Sequence, residues 1–552
     1  MKRTFKQLTL SLVFIALLTA CGKKPKQLNY IPKDVTGVVT IDAKSLALKS
    51  LELKDLLSMD IFKKNVPTLK DSIIDKVKNS GLDLLSTTYI FGDVQKGDQK
   101  NYVAIVFALD DESKFEQMLK DLGKTTEVKT DNDVKYTYLQ DPGQSAIIGW
   151  KDKVGIVVAV DSESDKEKLK SKLTGLFSQP EENSLAAAND KFQTLLKEGA
   201  DLSVFINYEK LGDLIKQNAQ SPMMSTTNFK DTYLAATVNF ENGQIVSNMK
   251  VYNNEENTKR AKELYKASVS KDLVTAQPGG NDVVAFMSFG VNMDAIIKHL
   301  QEAQLLDPLN QNLKTFGDEF DANYLAAALS GDFIGTVNAV NVKEVSRMDY
   351  LTGEMKPAKD FSVEYAITIG LKDAAKFQKL LDAVAAKGMI AKTGAYYSVA
   401  NTSFIFPKSN SIVVSSEGIV KDLAENKSNP LNNTYADLMN ANTMAMGFDI
   451  SKVKPEVLDL MGSDVNKTVS ALPFESILIS AEEVKSEVVT GKTVVNFKNK
   501  EQNSLISLQQ ALKDADKFMP QPSPYADNNI SDTLATSNAP MVVDSVAVED
   551  VR

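Results

Sequence analysis

The chain has 552 residues, with 63 Lys and Arg, 72 Asp and Glu and one His, so its formal net charge is −9. This acidic balance argues against a nucleic-acid-binding protein, because phosphates require a basic surface. His299 and Cys21 are the only residues of their types, which argues against metal sites of His and Cys, Cys–His enzymes and Ser–His–Asp hydrolases. We expect His299 to be a surface or half-buried helix residue. Carboxylate-only chemistry stays open, because so many acidic residues always contain plausible pairs.

The first 22 residues have the layout of a secretory signal. Three basic residues among the first six precede an apolar run from Leu8 to Leu18, which leads into Thr19-Ala20-Cys21-Gly22. The run is too short for a transmembrane helix, which needs roughly 20 residues. The tetrad that ends at Cys21 resembles the bacterial lipobox, in which the cysteine becomes the lipidated first residue. We predict a signal peptide over residues 1–20, lipidation of Cys21 and a tether over residues 21–29.

The predicted cleavage has consequences for charge and membrane attachment. Removal of the three basic residues of the signal leaves 60 basic and 72 acidic residues, a formal charge of −12. Such a chain does not adhere broadly to anionic lipid, so the acyl chains on Cys21 are expected to carry the attachment. No second cysteine exists to form a disulfide in the export compartment.

Four segments share a pattern in which an apolar strand ends at Asp or Asn and a helix follows. The side-chain oxygen of this residue can cap the first turn of the helix. The apolar residue directly before the cap and a second apolar residue five positions after that one can pack together as a hydrophobic staple. Asp and Asn interchange among the four positions, which favours capping over catalysis. The predicted structural caps are Asp42, Asn207, Asn292 and Asp449.

Longer blocks also recur in the same order. Tyr89–Val94 resembles Asp332–Val337, and Tyr102–Leu109 resembles Glu364–Leu371. Residues 30–270 and 278–517 therefore look like two copies of one α+β unit. The spacing between partners increases from the first of these pairs to the second, which places an insertion near residues 341–359 of the second copy. We predict that this insertion forms an extended hairpin or a loop.

Turn signals indicate that strands outnumber helices in each copy. Glu241-Asn242-Gly243 separates two strand-like runs and predicts a hairpin, and Thr490-Gly491-Lys492 is predicted to play the same part near the end of the second copy. A third hairpin is predicted with its turn at residues 150–153. Trp150 at that turn could be a ligand platform, but a partly buried packing residue is more common. The mixture favours an α+β fold of two tandem repeats, each an antiparallel sheet with helices packed on one face.

The C-terminal segment has a different composition. Residues 518–552 are rich in Pro, Ser, Asn and Ala, and we expect them to be disordered. Met541-Val542-Val543 is a candidate binding segment within this tail, with an idle tail as the commoner alternative.

The lipobox, the segment Tyr30-Ile31-Pro32-Lys33-Asp34-Val35 and the first strand–cap unit together resemble a family of uncharacterised Bacteroidota lipoproteins, known only as a domain of unknown function. The resemblance implies no activity and no site. Surface-exported lipoproteins of that phylum tend to carry acidic residues after the lipidated cysteine, whereas this chain has Lys23, Lys24 and Lys26. The resemblance therefore implies the periplasmic face of the outer membrane rather than the cell surface.

The same resemblance implies candidate sites of modification. The phylum attaches O-glycans at Asp-Ser/Thr-aliphatic triplets, and three such triplets occur in this chain. Their acceptor residues are Thr533, Ser545 and Ser72.

The sequence carries no phosphate-binding loop, dinucleotide fingerprint, nucleophile elbow or EF-hand loop. We therefore expect no catalytic residues, no metal site and no cofactor, and a role as a lipid-anchored scaffold or binding module with an envelope protein partner. Two alternatives stay open, a carboxylate-dependent hydrolase and a small-ligand carrier with a cleft between the two copies. An acid of raised pKa beside a second carboxylate would favour the hydrolase. A broad apolar patch would favour partner binding, and an enclosed apolar cavity between the copies would favour the carrier.

Overall fold

The fold was analysed in a computed structural model. The structure describes residues 25–49, 79–94, 101–122, 127–141, 144–160, 166–217, 227–349, 352–400, 402–427 and 429–518. Cys21, Ser72, Thr533 and Ser545 lie outside these ranges, as do the predicted signal peptide and all of the predicted tail after residue 518. Within the predicted tether, residues from Lys26 onward form a short 3-10 helix, Lys26–Tyr30, whose Leu28 is buried in the core.

The described residues form 20 β-strands. Strands β1–β10 are Gly37–Ile41, Thr88–Asp93, Tyr102–Ala108, Lys129–Asp131, Val134–Asp141, Gln144–Lys151, Val154–Val160, Leu202–Asn207, Tyr233–Glu241 and Gln244–Tyr252. Strands β11–β20 are Ala285–Gly290, Leu329–Met348, Met355–Leu371, Ala391–Thr393, Tyr396–Val399, Ser403–Pro407, Ser411–Ser415, Met444–Asp449, Phe474–Ala481 and Val488–Phe497.

These strands make one continuous antiparallel sheet within the described part of the chain. Their spatial order is β4-β5-β6-β7-β3-β2-β1-β8-β9-β10-β20-β19-β18-β11-β12-β13-β17-β16-β15-β14. Counted inward from the edge strand β14, strands β11–β20 occur in the same relative order as strands β1–β10 do when they are counted inward from the edge strand β4. Two copies of one unit would give this arrangement, although homology between the halves stays a prediction. Both edges are strands of three residues, which limits the unpaired backbone that another chain could extend.

The described residues also contain 17 α-helices. Helices α1–α9 are Ala43–Lys49, Glu112–Leu122, Lys166–Phe177, Leu185–Ala188, Asp190–Lys197, Tyr208–Gln217, Glu255–Leu264, Lys271–Thr275 and Met293–Glu302. Helices α10–α17 are Leu306–Lys314, Ala322–Ala328, Ala374–Ala386, Glu417–Ala424, Asn433–Ala441, Pro455–Met461, Ser463–Ala471 and Ser504–Phe518. The α+β class predicted from the sequence is therefore confirmed.

Most of the core lies between helices and one face of the sheet, here called the helical face. In the first half, Leu173 of α3 packs with Ile147 and Ile156 of the sheet. In the second half, Val274 of α8 packs with Phe286 of β11. Burial of these apolar side chains supplies the main stabilisation of each half, at roughly 25 cal/mol per Å² of apolar surface removed from water.

Helices also cover the two ends of the opposite face, here called the open face. Phe115 of α2 packs edge-on against Trp150, with ring centroids 5.4 Å apart, on the face opposite to α3. At the other end, Leu381 of α12 packs against Tyr397. The predicted one-sided helical layer therefore describes the middle of the sheet but not its ends.

The predicted hairpins have different outcomes. The hairpin at Glu241–Gly243 is confirmed, because β9 pairs with β10 and Gly243 has a φ of 67° in the turn. The hairpin between β6 and β7 is also confirmed, but its turn is Asp152-Lys153 with φ of 52° and 65°. Trp150 lies inside β6 and is fully buried, so it is a packing residue rather than a ligand platform.

The hairpin predicted at Thr490–Lys492 is wrong. These residues lie in the middle of β20, which runs without interruption from Val488 to Phe497 and pairs with both β10 and β19. Gly491 lies opposite Met249, and a Cβ at this position would come within 3.2 Å of the Met249 side chain. The glycine therefore leaves room for the Met249 side chain and does not form a turn.

The predicted insertion is an extended hairpin, as expected. Strands β12 and β13 continue past the rest of the sheet as a two-stranded ribbon of residues 339–363, here called the arm, up to the pair Met348–Met355. Gly353 occupies the turn at the tip with a φ of 72°.

Among the helices of the described residues, none has the length and apolar character needed to span a membrane.

Candidate functional site

The middle of the open face carries apolar side chains that no described helix covers. Ile367, Gly335, Met287, Met446 and Ile479 lie side by side on five adjacent strands, because each is directly opposite the next in the register. The side chains of Met287 and Ile367 are 45% and 42% exposed. A solvent-facing antiparallel sheet normally presents polar residues. A contiguous apolar surface of this kind indicates a binding surface.

A groove of about 540 Å³ crosses this face over β11, β12 and β13. Its floor is Gly335, which lies between Met287 on one neighbouring strand and Ile367 on the other. A Cβ built on Gly335 would meet nothing within 4 Å. The groove therefore exists because the central strand lacks a side chain where both neighbours carry a long one.

Aromatic side chains bound the groove at both ends. Phe289 and Phe333 stack with ring centroids 4.9 Å apart and an interplanar angle of 18°, which closes one end. At the other end, the Tyr365 hydroxyl shares a hydrogen bond of 2.7 Å with Ser403 Oγ. Among the described residues that line the groove, none carries a formal charge at neutral pH. The site is therefore shaped for an uncharged apolar occupant.

The apolar surface continues from the groove onto the arm. Val363 lies opposite Val340 and Phe361 opposite Val342, on the face of the ribbon that Tyr365 and Ile367 share. The side chains of Val363 and Phe361 are 44% and 39% exposed. The tip of the same face carries Met348 and Met355, beyond two intervening pairs that include charged and polar residues. The arm therefore extends the open face away from the body of the sheet.

The buried carboxylates Asp201 and Asp332 are paired, and neither is among the residues that line the groove. Asp201 accepts hydrogen bonds from Lys49 Nζ at 2.7 Å, Ser45 Oγ at 2.5 Å and the Phe240 backbone N–H at 2.7 Å. In the second half, Asp332 accepts from Lys266 Nζ at 2.9 Å. These contacts satisfy the acids within the fold.

Four carboxyl groups of the described residues have a pKa that departs from its usual value, and in each the pKa is lowered. The Lys135 ammonium holds the pKa of Glu116 below its usual value, and a hydrogen bond from His299 does the same for Glu302. Backbone N–H groups lower the pKa values of Glu319 and Asp360. A general acid for hydrolysis needs a raised pKa. These four groups therefore lend no support to the carboxylate-dependent alternative.

His299 is more buried than we expected. Its side chain is 10% exposed, and its Nδ1 lies 3.0 Å from Glu302 Oε2. The described residues hold no group of three or more His, Cys, Asp and Glu side chains that could bind a metal ion. His299 is therefore a packed residue of α9 with one carboxylate partner.

The four predicted cap residues accept hydrogen bonds from the backbone just after their strands. Asp42 Oδ1 accepts from Ser45 N at 2.9 Å, and Asn207 Oδ1 from Glu209 N at 3.0 Å. The corresponding distances are 3.1 Å at Asn292 and 3.0 Å at Asp449. Within each half, the two positions lie at opposite ends of paired antiparallel strands, so the structure does not gather them into one site.

Sequence reasoning missed the groove. A signal was present in β11, where Phe286 and Met287 are successive large apolar residues, and in β12, where Phe333 and Ile334 are, so that each strand carries such residues on both faces. Such strands are typical of sheets covered on both sides. The sequence does not show that only one of these faces receives helices.

The structure is thus an α+β protein organised around one long antiparallel sheet, with an apolar groove on its open face. Residues 28–505 match the family described as "Domain of unknown function (DUF4836)", and the chain belongs to this family. The sequence-based resemblance to a family of unknown function is therefore confirmed, whereas the lipoprotein nature and bacterial origin stay predictions. A search of the curated proteins finds no match.

Solved structures show only weak similarity to this chain. A crystal form described as "Structure of crystal form IV of TP0453" matches with 8% identity and a TM-score of 0.26, over 43% of this chain and 84% of that chain. Crystal form III of the same protein matches with 10% identity and a TM-score of 0.26, over 41% and 78% of the two chains. These scores are too low to carry a conclusion.

Proposed function

We propose that this protein is a non-catalytic binding module of the cell envelope, and that it binds an apolar envelope component through the open face of its sheet. The observation that carries the proposal is the groove at Gly335, an apolar groove of about 540 Å³ that none of the described helices covers. Ligand sites typically occupy about 300–1,000 Å³ and are lined mainly by apolar side chains.

The groove favours binding over catalysis. The hydroxyl groups beside it are already engaged, since Thr336 donates to the Pro278 carbonyl at 2.9 Å and Tyr365 pairs with Ser403. General acid–base chemistry requires a positioned group that gains or loses a proton near neutral pH. The described lining of the groove offers no acid, amine or imidazole for this task.

The proposed location follows from the sequence. We propose that lipid on Cys21 holds the protein at the periplasmic face of the outer membrane. This placement is supported by the signal-like first 20 residues and by the lysines that follow Cys21. At a membrane, a surface that is apolar and uncovered has apolar partners within reach.

The small-ligand carrier is the second candidate. The volume and apolar lining of the groove favour it. The site would differ from the cleft expected between two copies, because the groove is built from β11, β12 and β13 within the second half.

The test is site-specific photo-crosslinking in cells with the full lipidated chain. A photoreactive amino acid replaces Met287 or Ile367 on the open face. The control position is Met389, which is 61% exposed after α12. We expect reproducible adducts with an envelope component from the two open-face positions and not from Met389. Equal adducts from all three positions, or none, would contradict the proposal.

A further inference from the structure

We propose that the groove at Gly335 accommodates one acyl chain of a membrane phospholipid, with the headgroup left in water. This inference rests on the proposed function, because it names the chemistry of the component that the open face binds. Three properties of the groove support it: its width, its described lining without charged or unengaged hydrogen-bonding side chains, and its volume.

The width of the groove admits a single extended chain. Met287 and Ile367 lie on strands two positions apart, so their backbones are separated by about 10 Å. Their side chains narrow the opening over Gly335 further. An α-helix with its side chains is about 10–12 Å across and does not fit between them. A hydrocarbon chain is much thinner and reaches the glycine floor.

The polarity of the groove excludes an extended peptide. All three strands of its floor are paired on both sides, so no free edge offers main-chain hydrogen bonds to an added strand. A peptide backbone laid in the groove would leave its N–H and C=O groups without partners, at a cost of desolvation. An acyl chain has no such groups and loses nothing there.

The size of the groove matches the same ligand. If a methylene group takes roughly the 30 Å³ of a liquid water molecule, the volume of about 540 Å³ is comparable to the volume of one phospholipid acyl chain. Since the described lining offers no cation for a phosphate or carboxylate, the charged headgroup stays outside. The apolar pairs Val340–Val363 and Val342–Phe361 of the arm lead away from the groove and provide a path along which the chain can enter.

The experiment uses the full chain with Cys21→Ala, so that its own lipid does not compete. This protein is mixed with vesicles of phosphatidylethanolamine and phosphatidylglycerol that contain a phospholipid with a diazirine in its acyl chain. After illumination, mass spectrometry locates the adducts. We expect adducts on the peptides that contain Met287 and Ile367.

Substitutions at Gly335 provide the decisive comparison. Gly335→Leu fills the groove and is expected to reduce labelling about tenfold, the effect of losing roughly two buried methylene groups. Gly335→Ala leaves most of the groove free and is expected to keep most of the labelling. Both variants should fold, because a Cβ at this position meets no neighbour. Thermal melting followed by circular dichroism checks this.

Undiminished labelling of the folded Gly335→Leu variant, or adducts confined to other regions, would overturn the inference. A dimer in sedimentation experiments that Gly335→Leu disrupts, without lipid adducts, would assign the groove to a second copy instead. The photo-crosslinking experiment in cells distinguishes the acyl-chain inference from the proposed binding function. Protein adducts at Met287 without any lipid adduct would refute the acyl-chain inference and leave the binding function intact, whereas no open-face adduct of either kind would refute both.

Discussion

Trp150 shows how one residue stabilises an end of the sheet. Its ring is fully buried between the open face and α2, in edge contact with Phe115. Truncation would leave a large cavity in a small satellite core that also contains Leu119 and Ile148. We expect Trp150→Ala to lower the free energy of unfolding by about 3–5 kcal/mol. Urea unfolding followed by far-ultraviolet circular dichroism measures this loss.

Trp150→Phe is the matched control for that experiment. It keeps most of the buried volume and removes the indole N–H, which has no hydrogen-bond partner in the described structure. Removal of an unpaired buried donor carries no penalty of its own. The Phe variant should therefore be clearly more stable than the Ala variant. Equal losses in both would contradict the packing role.

Asn292 tests whether the residues after the strands act as caps. Its Oδ1 accepts a hydrogen bond from the Asp294 backbone N–H at the start of α9. Because capping needs only a side-chain oxygen, Asn292→Ala should destabilise the protein by about 1 kcal/mol and Asn292→Asp should not. Thermal melting of the three proteins makes the comparison. A large loss in the Asp variant would indicate a role that depends on the amide itself.

At the scale of elements, the arm is an addition to the sheet rather than part of its core. Beyond Val342, residues of the arm pair mainly with each other, and a two-stranded ribbon of this kind contributes little stability by itself. We expect that replacing residues 344–359 by a two-residue Asn-Gly turn changes the free energy of unfolding by about 1 kcal/mol or less. Chemical unfolding measures this. Loss of folding would show that the arm is needed for the sheet.

Strand β20 shows the limit of local turn signals. Thr490-Gly491-Lys492 has the composition of a hairpin turn, yet the pairing of β20 with both β10 and β19 keeps the segment extended. The long-range backbone hydrogen bonds on both sides outweigh the local preference of glycine for turns. The chain reverses direction instead in the charged segment 482–487, between β19 and β20.

At the scale of the whole molecule, the two halves are joined by the pairing of β10 with β20. Nine residues of each strand lie opposite each other, from Gln244–Asn496 to Tyr252–Val488. A chain of residues 30–270 alone would expose β10 as a long unpaired edge. We expect this half to self-associate, because free edges of this length template pairing with other chains. Size-exclusion chromatography measures its association state.

Co-expression with residues 278–517 is the control for the isolated half. If the β10 edge drives association, the second half should cover it and give a complex of one copy of each. A stable monomer of residues 30–270 on its own would show that the edge is protected in another way.

We predict that the attachment of the whole molecule to a membrane depends on one atom, the sulfur of Cys21. The net charge of the chain is negative, so adhesion to anionic lipid is not expected to hold the protein on the membrane by itself. We therefore expect Cys21→Ala to move the protein from the membrane fraction to the soluble fraction, as measured by fractionation and immunoblotting. Retention of the variant on membranes after a salt wash would contradict lipid anchoring.

The sequence alone determined the features that depend on neighbours along the chain. The α+β class, the β9–β10 hairpin and the hairpin nature of the insertion follow from alternation, turn residues and spacing, which act over a few residues. The cap positions were read from the same local patterns, and their side chains do accept the nearby backbone hydrogen bonds. Only the tertiary structure decided that both halves share one sheet, because β10 and β20 come from distant parts of the chain. It also decided which apolar face stays uncovered, and hence that Gly335 forms the floor of a groove, because coverage of a strand depends on where distant helices pack.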